Sequence, residues 1–166
     1  MRIAWVAVTA GLLGAAAGAM RAATRLDRLH VRTDAACAAL DAALHRRAVA
    51  ASALHGYAPL RRAAHAALVA GPSAREELEN ELGRALSVLD RCGLECTCAS
   101  RLADAEQAVV IARRVYNDAV RDTLALRSRR LVRWFRLAGT APLPRYFEIV
   151  EPALPAYGLE LDGAGA

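Results

Sequence analysis

Apolar residues recur at steps of three and four along most of the chain, which is the period of an amphipathic helix. In residues 21–55 these positions form one narrow seam, made of Leu26, Leu29, Thr33, Ala36, Leu40, Ala43 and Arg47. A second seam runs through the longest predicted helix, residues 100–137, and consists of Leu102, Ala105, Val109, Ala112, Tyr116, Ala119, Thr123 and Leu126. Such an unbroken alternation of steps is typical of helices that pack as in a coiled coil.

Turn signals divide the region between the two seams into shorter helices. Gly56 ends the first helix, and a short helix follows over residues 59–70. Ser73 and Glu76 match a capping box, which starts a third helix that ends near Gly93. The first helix beyond the amino-terminal segment, the two short helices together, and the last helix each span about 50–57 Å. We therefore predict an all-α fold, an antiparallel bundle of three to four long helices.

The amino-terminal segment has no charged residue between Ile3 and Met20. A helix over this stretch rises about 27 Å, just enough to cross the hydrocarbon core of a bilayer. We expect residues 1–20 to be a single-pass transmembrane anchor whose helix continues directly into the bundle. The alternative is a signal peptide with its cleavage site at residues 17–19.

The arginines that flank this segment predict its orientation. Only Arg2 precedes it, whereas four arginines follow it closely, at Arg21, Arg25, Arg28 and Arg32. An excess of basic residues on the carboxyl side favours a cytoplasmic body. The body is the helical bundle of residues 21–138, and residues 139–166, rich in proline and glycine, are expected to be extended or disordered.

Composition narrows the fold class further. Hydrophobic residues make up 55% of the chain and aromatic residues only 5%, because alanine alone accounts for about 40 of the 166 residues. Buried alanines contribute little area, so long thin helices are favoured over a strand-rich core. The net charge is +5 and every basic residue among the 22 is arginine. The excess of arginine therefore reflects in part the composition of the whole chain and not one particular site.

Three stretches resemble the LemA family of bacterial membrane proteins. Residues 112–120 read ARRVYNDAV, which looks like the family's signature on its last helix. A second stretch resembles the family's I-D-x-x-L-x-R-R pattern, through Leu40, Asp41, Leu44, Arg46 and Arg47. A third resembles its closing P-x-P-x-x-F-E element, through Pro142, Pro144, Phe147 and Glu148. The resemblance is that of a divergent, shortened relative, and it implies a bacterial cytoplasmic membrane location and a helical bundle more than any chemistry.

The signature stretch contains a candidate polar cluster. Asn117 is unfavourable inside a helix and follows Tyr116 on the second seam. We predict that these two side chains join Arg46 or Arg47 in a structural cluster that fixes the register of two helices. The alternative is that Asn117 faces water and pairs locally with Arg113 or Arg121.

The cysteines are weak candidates for metal or redox chemistry. Cys92, Cys96 and Cys98 lie close together, but their spacing is not that of a zinc site and no histidine lies nearby in sequence. Incidental thiols are the simplest interpretation, and a disulfide becomes possible only in an exported body. We expect no metal and no cofactor, and the sequence contains no catalytic motif that indicates an enzyme.

A basic and aromatic patch follows the second seam. Its candidate lipid-binding residues are Arg129, Arg130, Arg133, Trp134, Phe135 and Arg136. Arginines beside a Trp-Phe pair suit an anionic membrane surface, and no nucleic acid partner is expected. The alternative is a solvated arginine face in which Trp134 and Phe135 close the end of the bundle.

Taken together, these features predict a membrane-anchored, non-enzymatic interaction or scaffolding module. Its partners would be the lipid bilayer and another protein or a second copy of the chain. The alternative is an exported envelope protein that binds a small ligand or metal through its cysteine loop.

Overall fold

A computed structural model of the chain describes residues 2–91, 93–134 and 142–149. All regular secondary structure in these parts is helical, as the seams predict. The helices are α1 (Arg2–Ser52), α2 (Ala58–Leu68), α3 (Arg75–Ser87), α4 (Cys96–Arg127) and α5 (Arg130–Trp134).

The two long helices, α1 and α4, pack along each other in opposite directions. Leu26 lies against Leu126 at one end, and Leu44 lies against Val109 further along. Between these points the hydroxyls of Thr33 and Thr123 are 3.0 Å apart and share a buried hydrogen bond. The buried positions follow both predicted seams closely, so the helical pairing inferred from their spacing is confirmed.

The short helices α2 and α3 cover one end of this pair. Their buried residues form one cluster with the end of α1 and the start of α4, including Ala51, Leu60, Leu82 and Leu102. The chain leaves α1 through Gly56, whose φ of 96° lies in the left-handed region. The prediction of three rods of equal length is wrong, because α2 and α3 pack as two separate short helices instead of continuing one another.

Several predicted helix boundaries differ in the structure, and α3 ends at Ser87 instead of near Gly93. Ala74, not Ser73, is the N-cap of α3, and no side chain caps this end. The capping box is therefore not formed, and Glu76 instead accepts a hydrogen bond from the backbone N–H of Glu148 at 3.4 Å. The long last helix ends at Arg127, and the separate α5 follows it.

The amino-terminal segment continues into the bundle as one uninterrupted helix, α1, from Arg2 to Ser52. Trp5 and Leu13 are largely exposed on it. Within the described part of the chain, no helix carries an apolar stretch long enough to cross a membrane.

Candidate functional site

The side chains of Tyr116 and Asn117 hold residues 142–149, which we call the carboxyl-terminal strap. The Asn117 amide binds the backbone of Phe147 twice: Nδ2 donates to its carbonyl oxygen at 3.1 Å, and Oδ1 accepts from its N–H at 3.0 Å. The Tyr116 hydroxyl donates to the carbonyl oxygen of Arg145 at 2.8 Å. A strap without regular structure is thereby attached through its own backbone groups.

Burial of Tyr116, together with the negative charges around it, favours the protonated phenol that this contact requires. Partial burial raises the pKa of the Tyr116 hydroxyl above its ordinary value, and Cys37, Asp41 and Glu76 add to the shift. The hydroxyl therefore stays available as a donor to Arg145 at neutral pH.

Apolar contacts complete the attachment of the strap. Ile149 is buried against Leu40, Leu44 and Val109, and Phe147 packs at the edge of the same cluster. The strap thus covers the seam between α1 and α4 on the side where Glu76 of α3 reaches Glu148.

Arg47 does not join this group. Its Nη2 lies 2.5 Å from Oε2 of Glu79 on α3, and the two side chains are only 2% and 3% exposed. The same nitrogen donates to the Glu79 carbonyl oxygen at 3.3 Å. Burial raises the pKa of the Glu79 carboxyl, and the hydrogen bond and charge of Arg47 counteract that shift. The pair joins α1 to α3 in the core.

The predicted cluster of Arg46, Arg47, Tyr116 and Asn117 is therefore wrong as a single unit. The antiparallel register explains the separation, since Arg46 lines the same groove as Ala105. That level of α4 is 11 residues, about 16 Å, from Tyr116. Arg46 is exposed.

A second candidate site lies where the uncharged stretch of α1 ends. Arg21 and Arg25 of α1 and Arg129, which precedes α5, line a recess of about 240 Å³. We call these three residues the arginine collar. Among the described residues, none of the three guanidinium groups forms an ion pair. The fold brings together positive charge from α1 and from the segment between α4 and α5 at one level of the bundle.

The fold positions Arg129 through Val132, a buried residue of α5 that lies three positions further along the chain. Val132 is 2% exposed and packs with Leu26 and Leu126. Trp134, by contrast, is 82% exposed, so Val132 closes this end of the bundle and Trp134 does not. Arg130 is exposed as well. Phe135, Arg136 and the side chain of Arg133 lie outside the described residues.

The three cysteines that the structure describes do not form a common centre. Cys37, Cys96 and Cys98 are free thiols, and Cys92 lies outside the described residues. Partial burial raises the pKa of the Cys37 thiol, and the carboxylates of Asp41 and Asp34 add to the shift. Across residues 2–91, 93–134 and 142–149, no three histidine, cysteine or acidic side chains are arranged to hold a metal ion.

No protein-family model matches the chain, and no curated protein or solved structure shows significant similarity to it. The resemblance to the LemA family stays a prediction.

Proposed function

We propose that the protein is a non-enzymatic helical interaction module, held at a bacterial cytoplasmic membrane by the amino-terminal part of α1. The observation that carries this proposal is the arginine collar. Arg21 and Arg25 follow the uncharged stretch of Ile3 to Met20, and the fold adds Arg129 at the same level, so the apolar segment ends at a cluster suited to lipid phosphates. The proposal rests on this order of apolar and basic residues, since the described helices contain no membrane-spanning candidate.

The continuity of α1 from one end of the bundle to the other supports an interaction role. One helix runs from the uncharged stretch to the buried Arg47–Glu79 pair without a break. Binding of lipid at the collar and packing of α2 and α3 at the other end are thus joined by a single rigid element. We propose that the outer surface of α2 and α3, which cover the far end of this element, binds another protein or a second copy.

A distant relationship to the LemA family is part of the same proposal. The signature stretch contributes Tyr116 and Asn117, and the P-x-P-x-x-F-E element contributes Phe147. These two pieces lie 30 residues apart in the chain, yet their side-chain and backbone groups bind each other. The two pieces that resemble the family therefore belong to one contact in this chain.

Vesicle flotation of the full chain tests the collar. The variant Arg21→Gln/Arg25→Gln/Arg129→Gln is compared with Arg61→Gln/Arg62→Gln/Arg84→Gln, which removes three exposed arginines from α2 and α3. Both variants lose the same charge. The proposal expects that only the collar variant loses its preference for vesicles containing phosphatidylglycerol over neutral vesicles. Equal losses in both would show non-specific charge attraction and contradict the collar as a site.

Reporter fusions after Ala166 test the orientation. The arginines that follow the uncharged stretch favour a cytoplasmic bundle, so a reporter active only in the cytoplasm is expected to work. An immunoblot on the same cells shows whether the chain is cleaved after Ala19. Cleavage or an external carboxyl terminus would support the exported envelope protein instead.

A further inference from the structure

A groove of about 550 Å³ separates the last turns of α1 from the first turns of α4. Its volume lies in the range of small-molecule sites. It is distinct from the arginine collar, since Arg46 follows Arg21 by 25 residues, about 38 Å along α1. Neither the strap nor the buried Arg47–Glu79 pair contributes a lining residue.

Two arginines from different helices line the groove, Arg46 from α1 and Arg101 from α4. Among the described residues neither arginine has a carboxylate partner. Arg47, the neighbour of Arg46, is by contrast buried and forms its ion pair with Glu79 through Nη2. Two guanidinium groups are therefore available to one anion between them.

The apolar part of the lining, which we call the floor, consists of Val49, Ala50 and Ala53 of α1 and Ala105 of α4. Val49 remains 46% exposed, and small alanine side chains leave the space that a larger residue would fill. Removing this surface from water would favour binding of an apolar chain.

We propose that this groove binds a small amphiphilic monoanion, with a carboxylate or phosphate head between Arg46 and Arg101 and an apolar chain along the floor. Asp104 also lines the groove, and its charge opposes a second anionic group on the ligand. The site therefore selects one negative charge joined to an apolar chain. This binding is independent of the membrane role proposed above.

Cys98 provides a reporter because it is half-buried and lines the same groove. In the full chain with Cys37, Cys92 and Cys96 changed to serine, the alkylation rate of Cys98 is measured against sodium decanoate below its micellar concentration. Decanol, decanedioate and decyltrimethylammonium serve as matched probes. Decanoate is expected to protect the thiol saturably, and each of the other probes is expected to bind about tenfold more weakly or worse.

Two variants test whether decanoate binds in the groove. Arg46→Gln/Arg101→Gln is expected to weaken decanoate binding about tenfold, whereas the matched Arg61→Gln/Arg62→Gln leaves it unchanged. Ala53→Trp fills the groove from an exposed position and should abolish binding in calorimetry while circular dichroism stays unchanged. Equal binding of decanol, or decanoate binding that survives Ala53→Trp, would overturn the proposal. So would a concentration-dependent dimer that protects Cys98 without any ligand, because the occupant would then be a second copy.

Discussion

The side-chain amide of Asn117 pairs with the backbone of Phe147 as a neighbouring strand would, donating one hydrogen bond and accepting another at 3.1 and 3.0 Å. An asparagine that weakens a helix locally is thus satisfied by a segment 30 residues further along. The two partners fix where the strap lies on the α1–α4 pair.

Replacing Asn117 with leucine should therefore free the strap. We expect a loss of about 1–3 kcal/mol in the free energy of unfolding, because the Phe147 backbone groups lose both partners. Urea unfolding measures this loss, with Asp118→Leu as the control, since Asp118 is exposed and pairs only within its helix.

A chain shortened to end at Ala141 tests whether Asn117 acts through the strap. In that chain Asn117→Leu should cost almost nothing, because the strap it holds is absent. An equal cost in the full and shortened chains would show that Asn117 acts through another contact.

The buried pair of Arg47 and Glu79 predicts a strongly non-additive pair of mutations. Arg47→Met leaves a buried carboxylate without its partner and should cost about 3–5 kcal/mol. The double variant Arg47→Met/Glu79→Met should be markedly more stable than the single one, since no isolated charge remains. The exposed neighbour offers a control, and Arg46→Met should stay within about 0.5 kcal/mol of the parent. Additive costs in chemical unfolding would argue against this account of the pair.

The turn after α1 predicts a difference between two glycines. Gly56 has a φ of 96°, and an added Cβ there would meet no atom within 4 Å. Gly56→Ala should therefore destabilise the fold by backbone strain alone, about 1–2 kcal/mol. Gly71→Ala is the matched control, because that site is equally open and has no left-handed backbone. Thermal unfolding that ranks the two variants equally would refute a strained turn.

The surroundings of the Cys37 thiol predict how its alkylation rate depends on pH. The pKa of this thiol lies above the ordinary value, because partial burial and the carboxylates of Asp41 and Asp34 disfavour the thiolate. With the other cysteines changed to serine, the pH at which the iodoacetamide rate reaches half its maximum should lie above that of a cysteine in an unstructured peptide. Asp41→Asn should lower this midpoint, whereas Asp27→Asn should leave it unchanged. A midpoint below the ordinary value would contradict the direction.

Local periodicity predicted the core, since helix spacing alone determines which side of α1 and α4 can be buried. Leu102, Val109 and Thr123 are buried at the predicted positions. Polar partners could not be found in this way, because they depend on how separate helices meet. Glu79 is an example. Its acidic neighbours suggest only that carboxylates in the first turns of α3 interact favourably with the helix dipole. Its spacing from Leu82 was the available signal that it faces the core.

The sequence predicted only part of the arginine collar. Arg129 belongs to a predicted lipid-binding patch, but its proximity to Arg21 and Arg25 depends on tertiary packing of Val132. The strap was similarly hidden, because a proline-containing segment gives no periodic signal even when Ile149 is buried.

Insertion of α1 into a bilayer is the central claim, and tryptophan depth measurements test it most directly. Trp5 and Trp134 are the two native tryptophans. One variant keeps Trp134 alone through Trp5→Phe, and another carries Leu13→Trp in a chain with both native tryptophans changed to phenylalanine. Leu13 precedes Arg21 by eight residues, about 12 Å along the helix.

Each variant is reconstituted as the full chain in vesicles whose lipids carry bromine either deep in the acyl chains or near the headgroups. The account predicts that deep bromines quench the Leu13→Trp fluorescence, whereas only shallow bromines quench Trp134. Quenching of the Leu13→Trp variant by aqueous acrylamide, with no effect of either brominated lipid, would contradict insertion of α1.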